Sequence, residues 1–216
     1  LKNIFKRSPA RVTLGLVSLN LAIWLLQIFP GSNLTSQLAF VPLSVYTEPW
    51  RMITAGFAHS ESNPLHVLLN MYSLYIFGSI LEPMLGRLRF LAVWLISVFG
   101  SSVAVMYLNT PDTWVIGASG GVFGLMAAYF VVLRAVGERS QSLLGLIAIN
   151  LVFGFIMPGV SWQAHLGGLF AGGAMTAVYA NTRNRNQRST QLIGAIGVVL
   201  VFVALTFYRM QTMLMG

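Results

Sequence analysis

The chain has 216 residues, of which 56% are hydrophobic and only 8% charged, with no cysteine and a formal net charge of +8. A soluble domain carries about a quarter charged residues, so this composition marks an integral membrane protein with little soluble mass. The lack of cysteine excludes a disulfide framework, a thiolate metal site and a cysteine nucleophile.

Apolar runs predict seven membrane spans, over 12–29, 64–83, 89–108, 117–136, 142–158, 164–181 and 191–208. Each is near the ~20 residues that cross the hydrocarbon core, the fifth being shortest. A basic cytoplasmic segment, 1–11, precedes the first span. That span lacks an evident small-residue cleavage site and reads as a retained helix rather than a signal peptide. The chain starts at Leu1, and a cytosolic domain ahead of it is left open. All but two of the thirteen Lys and Arg, Arg51 and Arg209, fall on alternate connections. They are Lys2, Lys6, Arg7 and Arg11 before span one, Arg87 and Arg89 before span three, Arg134 and Arg139 around the turn from four to five, and Arg183, Arg185 and Arg188 between six and seven. This positive-inside pattern predicts a cytoplasmic N-terminus. The charge therefore sets topology and touches the lipid bilayer; it is not a nucleic-acid footprint.

Residues 30–63, between spans one and two, are too apolar for a water-exposed linker, with Phe40, Val45, Tyr46, Trp50, Met52 and Phe57 among them. Short helices in the outer interface are expected there, with Tyr46 and Trp50 at headgroup depth. Span two opens with "PLHVLLN", which puts His66 and Asn70 one turn apart on one helical face. Span four opens with "GASGGVFG", residues 117–124, a serine among four glycines. Taken alone, Gly117/Gly121 and Gly120/Gly124 are better explained by close helix packing than by chemistry. Span six opens with "AHLGGLFAGG", where Gly168 and Gly172 follow His165 and form a second close-contact face. A polar cytoplasmic linker, 182–190, leads to span seven and a short outer tail, 209–216.

Polar groups inside spans are costly and default to functional candidates. Spans two, four and six run in the same direction, so His66, Asn70, Ser119 and His165 all fall near the outer leaflet, a coincidence that hydropathy does not require. Meeting glycine faces on spans four and six would bring Ser119 and His165 together. A hydroxyl beside a neutral imidazole is the minimal activated nucleophile. The backbone N–H of Ser119, free in the first turn of its helix, the Asn70 amide and the His66 ring are candidate donors to an oxyanion. A proton-coupled transporter would also use intramembrane His and Asn, but would call for a carboxylate within the spans; this chain offers only Glu82, near an inner helix end.

Four motifs, "WR" (Trp50, Arg51), "HVLLN" (His66, Asn70), "GASG" (117–120) and "AHLGG" (164–168), stand in the order, spacing and topology of one family. On these the chain resembles the rhomboid intramembrane serine proteases over nearly its whole length. The resemblance implies an all-α polytopic membrane protein: a six-helix rhomboid domain over 12–181, plus a seventh C-terminal transmembrane helix. It implies a serine endopeptidase that cleaves transmembrane segments of other membrane proteins near the outer face, without metal or cofactor. Ser119 is then the nucleophile and His165 its general base, with no catalytic carboxylate; His66, Asn70 and the Ser119 N–H stabilise the oxyanion. Phe123 matches an aromatic, often Tyr, that packs on the histidine. Arg51, Glu82 with Gly86, Gly168 and Gly172 match structural positions. Membrane-spanning substrates with weak helix formers are expected, because a helical backbone must unwind to expose its carbonyls. They would enter past span five or span two, with the loop 158–163 as a moving cap. Two features depart from the pattern: "HSESNP" lengthens the stretch before His66 and leaves His59 without a role, and span seven carries no motif residue. A non-proteolytic rhomboid-like binding factor is the alternative, although such relatives characteristically lose the serine or the histidine. A cell membrane of bacterial type fits the compact topology.

Overall fold

The computed structural model describes residues 10–157 and 159–215; Lys2, Lys6 and Arg7 of the basic segment, and Pro158 of the expected cap, lie outside the described residues. The longer helices are α1 (Arg11–Gln27), α4 (Pro64–Leu85), α5 (Arg87–Leu108), α6 (Ser119–Ala135), α7 (Gln141–Ile156), α8 (Trp162–Asn181) and α9 (Arg188–Met215), which fall on the seven apolar runs. Two short helices, α2 (Leu34–Leu38) and α3 (Arg51–Thr54), with 3-10 turns at Pro42–Tyr46 and Ala55–Phe57, build the segment between α1 and α4. Helices α4, α5 and α9 are long and apolar enough to cross a membrane, and α1, α6 and α7 are apolar but shorter. Helix α9 runs past its apolar stretch at both ends. Hydropathy registers only the apolar part, whereas Arg, Gln and Met are good helix formers that carry the backbone ladder onward.

The starts of α4 and α8 are capped by local chemistry. The Asn63 side chain accepts a hydrogen bond from the Leu65 N–H (3.2 Å), with Pro64 opening the helix. Ser161 Oγ accepts from the Ala164 N–H (3.3 Å). Such caps satisfy backbone donors that the first turn leaves orphaned. They fix His66 and His165 in the opening turns of their helices.

The core lies where α5, α6 and α8 meet, around the fully buried Phe90, Val93, Trp94 and Leu125. Helix α8 lies against α6 closely enough that a Cβ on Gly168 would run into the Gly120 carbonyl, and one on Gly172 into the Gly124 backbone. Ser97 and Ser101 of α5 share this seam, each hydroxyl donating to the carbonyl four residues back (2.6 and 2.8 Å). The pairing of Gly117 with Gly121 suggested by spacing is not a helix contact. Gly117 precedes α6 at φ +122°, and Gly121 lies under the Trp94 ring.

Helices α1 and α4 pack on one flank and α9 on the other, against α5 and α8. Helix α7 rests on α6 and α8 and buries only Leu143, Ile147 and Gly154. At the end of α4 the buried Glu82 carboxylate accepts from the Val12 N–H (3.0 Å), the Thr13 N–H (2.8 Å) and the Thr13 hydroxyl (2.8 Å), anchoring the first turn of α1. A carboxylate there also suits the positive end of the helix dipole. The 30–63 segment folds over the far end of α5, with Phe40, Val45 and Met52 packed against Val105 and Met106. An antiparallel bridge between Phe40 and Val115 ties it to the strand-like approach to α6.

Candidate active site

Ser119 is the first residue of α6, so its backbone N–H has no partner within the helix. One helix away, His165 Nε2 lies 3.0 Å from Ser119 Oγ. The Gly120/Gly124 and Gly168/Gly172 contacts are what allow this approach, since any side chain there would hold α6 and α8 apart. The imidazole is buried, and the Phe123 ring stacks on it with centroids 4.1 Å apart and planes at 12°. Phe123 is one turn below Ser119, so a single helix supplies the hydroxyl and the surface that holds the ring. His165 Nδ1 has no hydrogen-bond partner among the described residues, and its edge faces Gly154 of α7, where a Cβ would lie 2.9 Å away.

On the other side of Ser119, His66 Nδ1 accepts from the Ser60 N–H (3.1 Å). That bond assigns the ring proton to Nε2. Nε2 points at Gly117, 2.9 Å from where a Cβ would stand, and Ser119 Oγ borders the same position at 3.8 Å. Gly117 thus needs its missing side chain twice, for a left-handed φ and for the space that His66 occupies. Its N–H donates to the Ala55 carbonyl (2.9 Å), which fixes the turn. Asn70, one turn along α4, donates one amide hydrogen to the His66 carbonyl (2.8 Å). An amide carries two, which leaves the second available.

The remaining sequence candidates stand away from this cluster. Arg51 pairs with Glu48 (2.8 Å) and donates to the Ala39 carbonyl (3.1 Å) and to the Ser36 carbonyl, so it braces the 30–63 segment. Glu82 sits at the opposite end of α4. Sequence reading missed Asn20 and Gln27 of α1, which reach the loop before α4, and Gly154 and the Ser97/Ser101 pair. A signal for the first two was present: Thr13, Asn20 and Gln27 recur every seventh residue, a polar stripe on one face of an apolar helix. Among the described residues no three His, Cys, Asp or Glu side chains are grouped closely enough to hold a metal ion.

The described residues form an all-helical protein with several apolar helices, in which a buried histidine meets the serine that opens a helix. The rhomboid domain model matches residues 46–182. The chain is 26% identical over 245 residues to rhomboid protease AarA of Providencia stuartii, covering 96% of this chain and 86% of that protein. It is 27% identical to rhomboid protease GluP of Bacillus subtilis, over 97% of this chain and 42% of GluP. It is 36% identical to RHOMBOID-like protein 6, mitochondrial, of Arabidopsis thaliana, over 58% of this chain and 42% of the relative. The chain belongs to the rhomboid family, and it spans less than half the length of two of these three relatives.

Proposed function

We propose that this protein hydrolyses peptide bonds in or beside transmembrane segments of other membrane proteins, with Ser119 as nucleophile and His165 as general base. The observation that carries the reading is the 3.0 Å contact between His165 Nε2 and Ser119 Oγ, on a ring held by Phe123. Nε2 takes the hydroxyl proton as Oγ bonds to the substrate carbonyl carbon. The carbonyl oxygen becomes an oxyanion, for which the Ser119 N–H, the Nε2–H of His66 and the free amide hydrogen of Asn70 are the donors. The imidazolium returns its proton to the departing amine, leaving an ester on Ser119. Water, deprotonated by the same nitrogen, then hydrolyses that ester. No carboxylate orients His165; stacking on Phe123 and packing at Gly154 do so.

The N-terminus is cytoplasmic, six helices (α1 and α4 to α8) form the protease domain over 12–181, and α9 is a seventh span. The site then lies near the outer face of a cell membrane, where a hollow between α4, α6 and α8 admits water. Substrate segments rich in Gly or Pro, which unwind at least cost, are the preferred ones. They enter past α7, which the rest of the molecule holds least.

Reconstitution in liposomes with a single-span substrate bearing a Gly/Ala-rich outer segment tests this. Cleavage by the parent chain and its loss in Ser119→Ala and in His165→Ala is the expected result. Cleavage that survives Ser119→Ala overturns the mechanism. A folded parent that cleaves none of several substrates moves the chain to the non-proteolytic binding class.

A further inference from the structure

His59 stands in the loop before α4, in the lengthened stretch that the family pattern leaves unexplained, and its side chain is fully buried. Its Nε2 lies 3.1 Å from Asn20 Oδ1 of α1. The Asn20 amide nitrogen is turned to the Leu16 carbonyl (2.8 Å) and its oxygen to His59, and because that oxygen only accepts, the proton is on His59 Nε2. The backbone of His59 is held equally firmly. Its N–H donates to Gln27 Oε1 (3.0 Å), and its carbonyl accepts from Gln27 Nε2 (2.9 Å). The ring meets that of His66 edge to face, with centroids 5.1 Å apart at 62°.

This arrangement is expensive. His59 Nδ1 is buried with no partner among the described residues, and an orphaned buried acceptor gives up the hydrogen bond it makes in water. Burial, and then the neighbouring His66, hold the His59 pKa well below the ordinary imidazole value, so the ring stays neutral. A phenyl ring would fill much of the same space without an orphaned nitrogen. What it could not do is donate a hydrogen bond to Asn20 Oδ1. The same loop delivers the Ser60 N–H to His66 Nδ1, one residue after the doubly held backbone of His59.

We propose that His59 is a positioning residue: tethered to α1 by Asn20 and Gln27, it fixes the ring orientation and the Nε2–H tautomer of His66, and so aims the oxyanion donor at Ser119. Helix α1, which carries none of the family motifs, thereby takes part in setting the site. The inference rests on the oxyanion role of His66 proposed above, and its test is chosen to read His66 without any substrate.

The chain has only three histidines, His59, His66 and His165. Labelling histidine with nitrogen-15 in the full-length protein in lipid nanodiscs therefore gives three assignable pairs of ring nitrogens by NMR. The parent is expected to show His66 as a single Nε2–H tautomer, and Asn20→Leu to show a mixture, with kcat down about tenfold and KM unchanged. His59→Gln, whose amide can still donate to Asn20, is expected to recover part of kcat relative to His59→Phe. An unaltered His66 tautomer in folded Asn20→Leu and His59→Phe, or equal kcat in His59→Gln and His59→Phe, overturns the proposal. Should Asn20→Leu fail to fold, the smaller Asn20→Ala is read in the same way. A tautomer change in a chain that cleaves no substrate would leave the positioning intact and remove the protease reading instead.

Discussion

His165 offers one ring nitrogen to Ser119 and leaves the other without a partner among the described residues. For Nε2 to accept the serine proton, Nδ1 must carry the hydrogen, and no carboxylate holds it there. Orientation therefore falls to the stacked Phe123 ring. Phe123→Tyr keeps that surface and is expected to retain cleavage within a few-fold. Phe123→Ala leaves a cavity beside the histidine and is expected to cost about 3–5 kcal/mol in stability, with a clear loss of kcat. Thermal unfolding and steady-state cleavage of the two variants check this together. Equal losses for Tyr and Ala would remove the ring from the account. At the same scale, the 3.6-residue period put His66 and Asn70 on one face, and the common direction of three spans put Ser119 and His165 at their depth. Gly117 could not be read in this way. Its role depends on a turn conformation and on the His66 ring, neither of which has a sequence period.

At the scale of elements, the seam of α5, α6 and α8 decides whether the dyad exists. A Cβ on Gly172 would meet the Gly124 backbone and Ser97, whereas one on Gly145, within α7, meets nothing within 4 Å. Gly172→Ala is expected to destabilise by about 1–3 kcal/mol through overpacking and to reduce activity. Gly145→Ala is expected to be neutral, or stabilising by up to about 1 kcal/mol through helix propensity. Comparing thermal midpoints of the two variants separates packing from propensity. The glycine faces of α6 and α8 were legible in the sequence as repeats of four. The contribution of α5 was not, because serines with hydroxyls folded back on their own helix look polar in sequence and behave as small packing residues. The polar stripe of α1 was overlooked for the opposite reason: Asn20 and Gln27 are diluted by apolar neighbours, and only their seven-residue interval betrays one face.

Over the whole molecule, two flanking helices hold the end of the protein that bears the site, and neither carries a catalytic motif. Helix α1 holds Glu82 at its start and the His59 loop at its end. Helix α9 reaches beside the end of α5. There Arg209 donates to the Met106 carbonyl (2.7 Å), Tyr107 to the Leu205 carbonyl (2.8 Å), and Tyr46 of the 30–63 segment to the Met210 carbonyl (2.5 Å). A cation at the C-terminal end of α5 also complements that helix dipole. Arg209→Ala is expected to lower stability by about 1–3 kcal/mol while leaving kcat near the parent value, as thermal unfolding and cleavage assays will read. A selective fall in kcat with unchanged stability would assign α9 a part in the chemistry. The extent of α9 and its hold on the 30–63 segment were beyond hydropathy, which locates apolar runs but not the polar turns that lock them together.

The central claim is that Ser119 is activated by His165, and reaction with a fluorophosphonate probe tests it without any need to know the substrate. Attack by Oγ on phosphorus breaks the P–F bond, releases fluoride and leaves a stable phosphonyl serine, with the proton passing to His165. Mass spectrometry of the labelled full-length protein is expected to find one adduct, on Ser119, that disappears in folded His165→Ala. An adduct on another serine, or undiminished labelling of Ser119 without His165, would contradict the account.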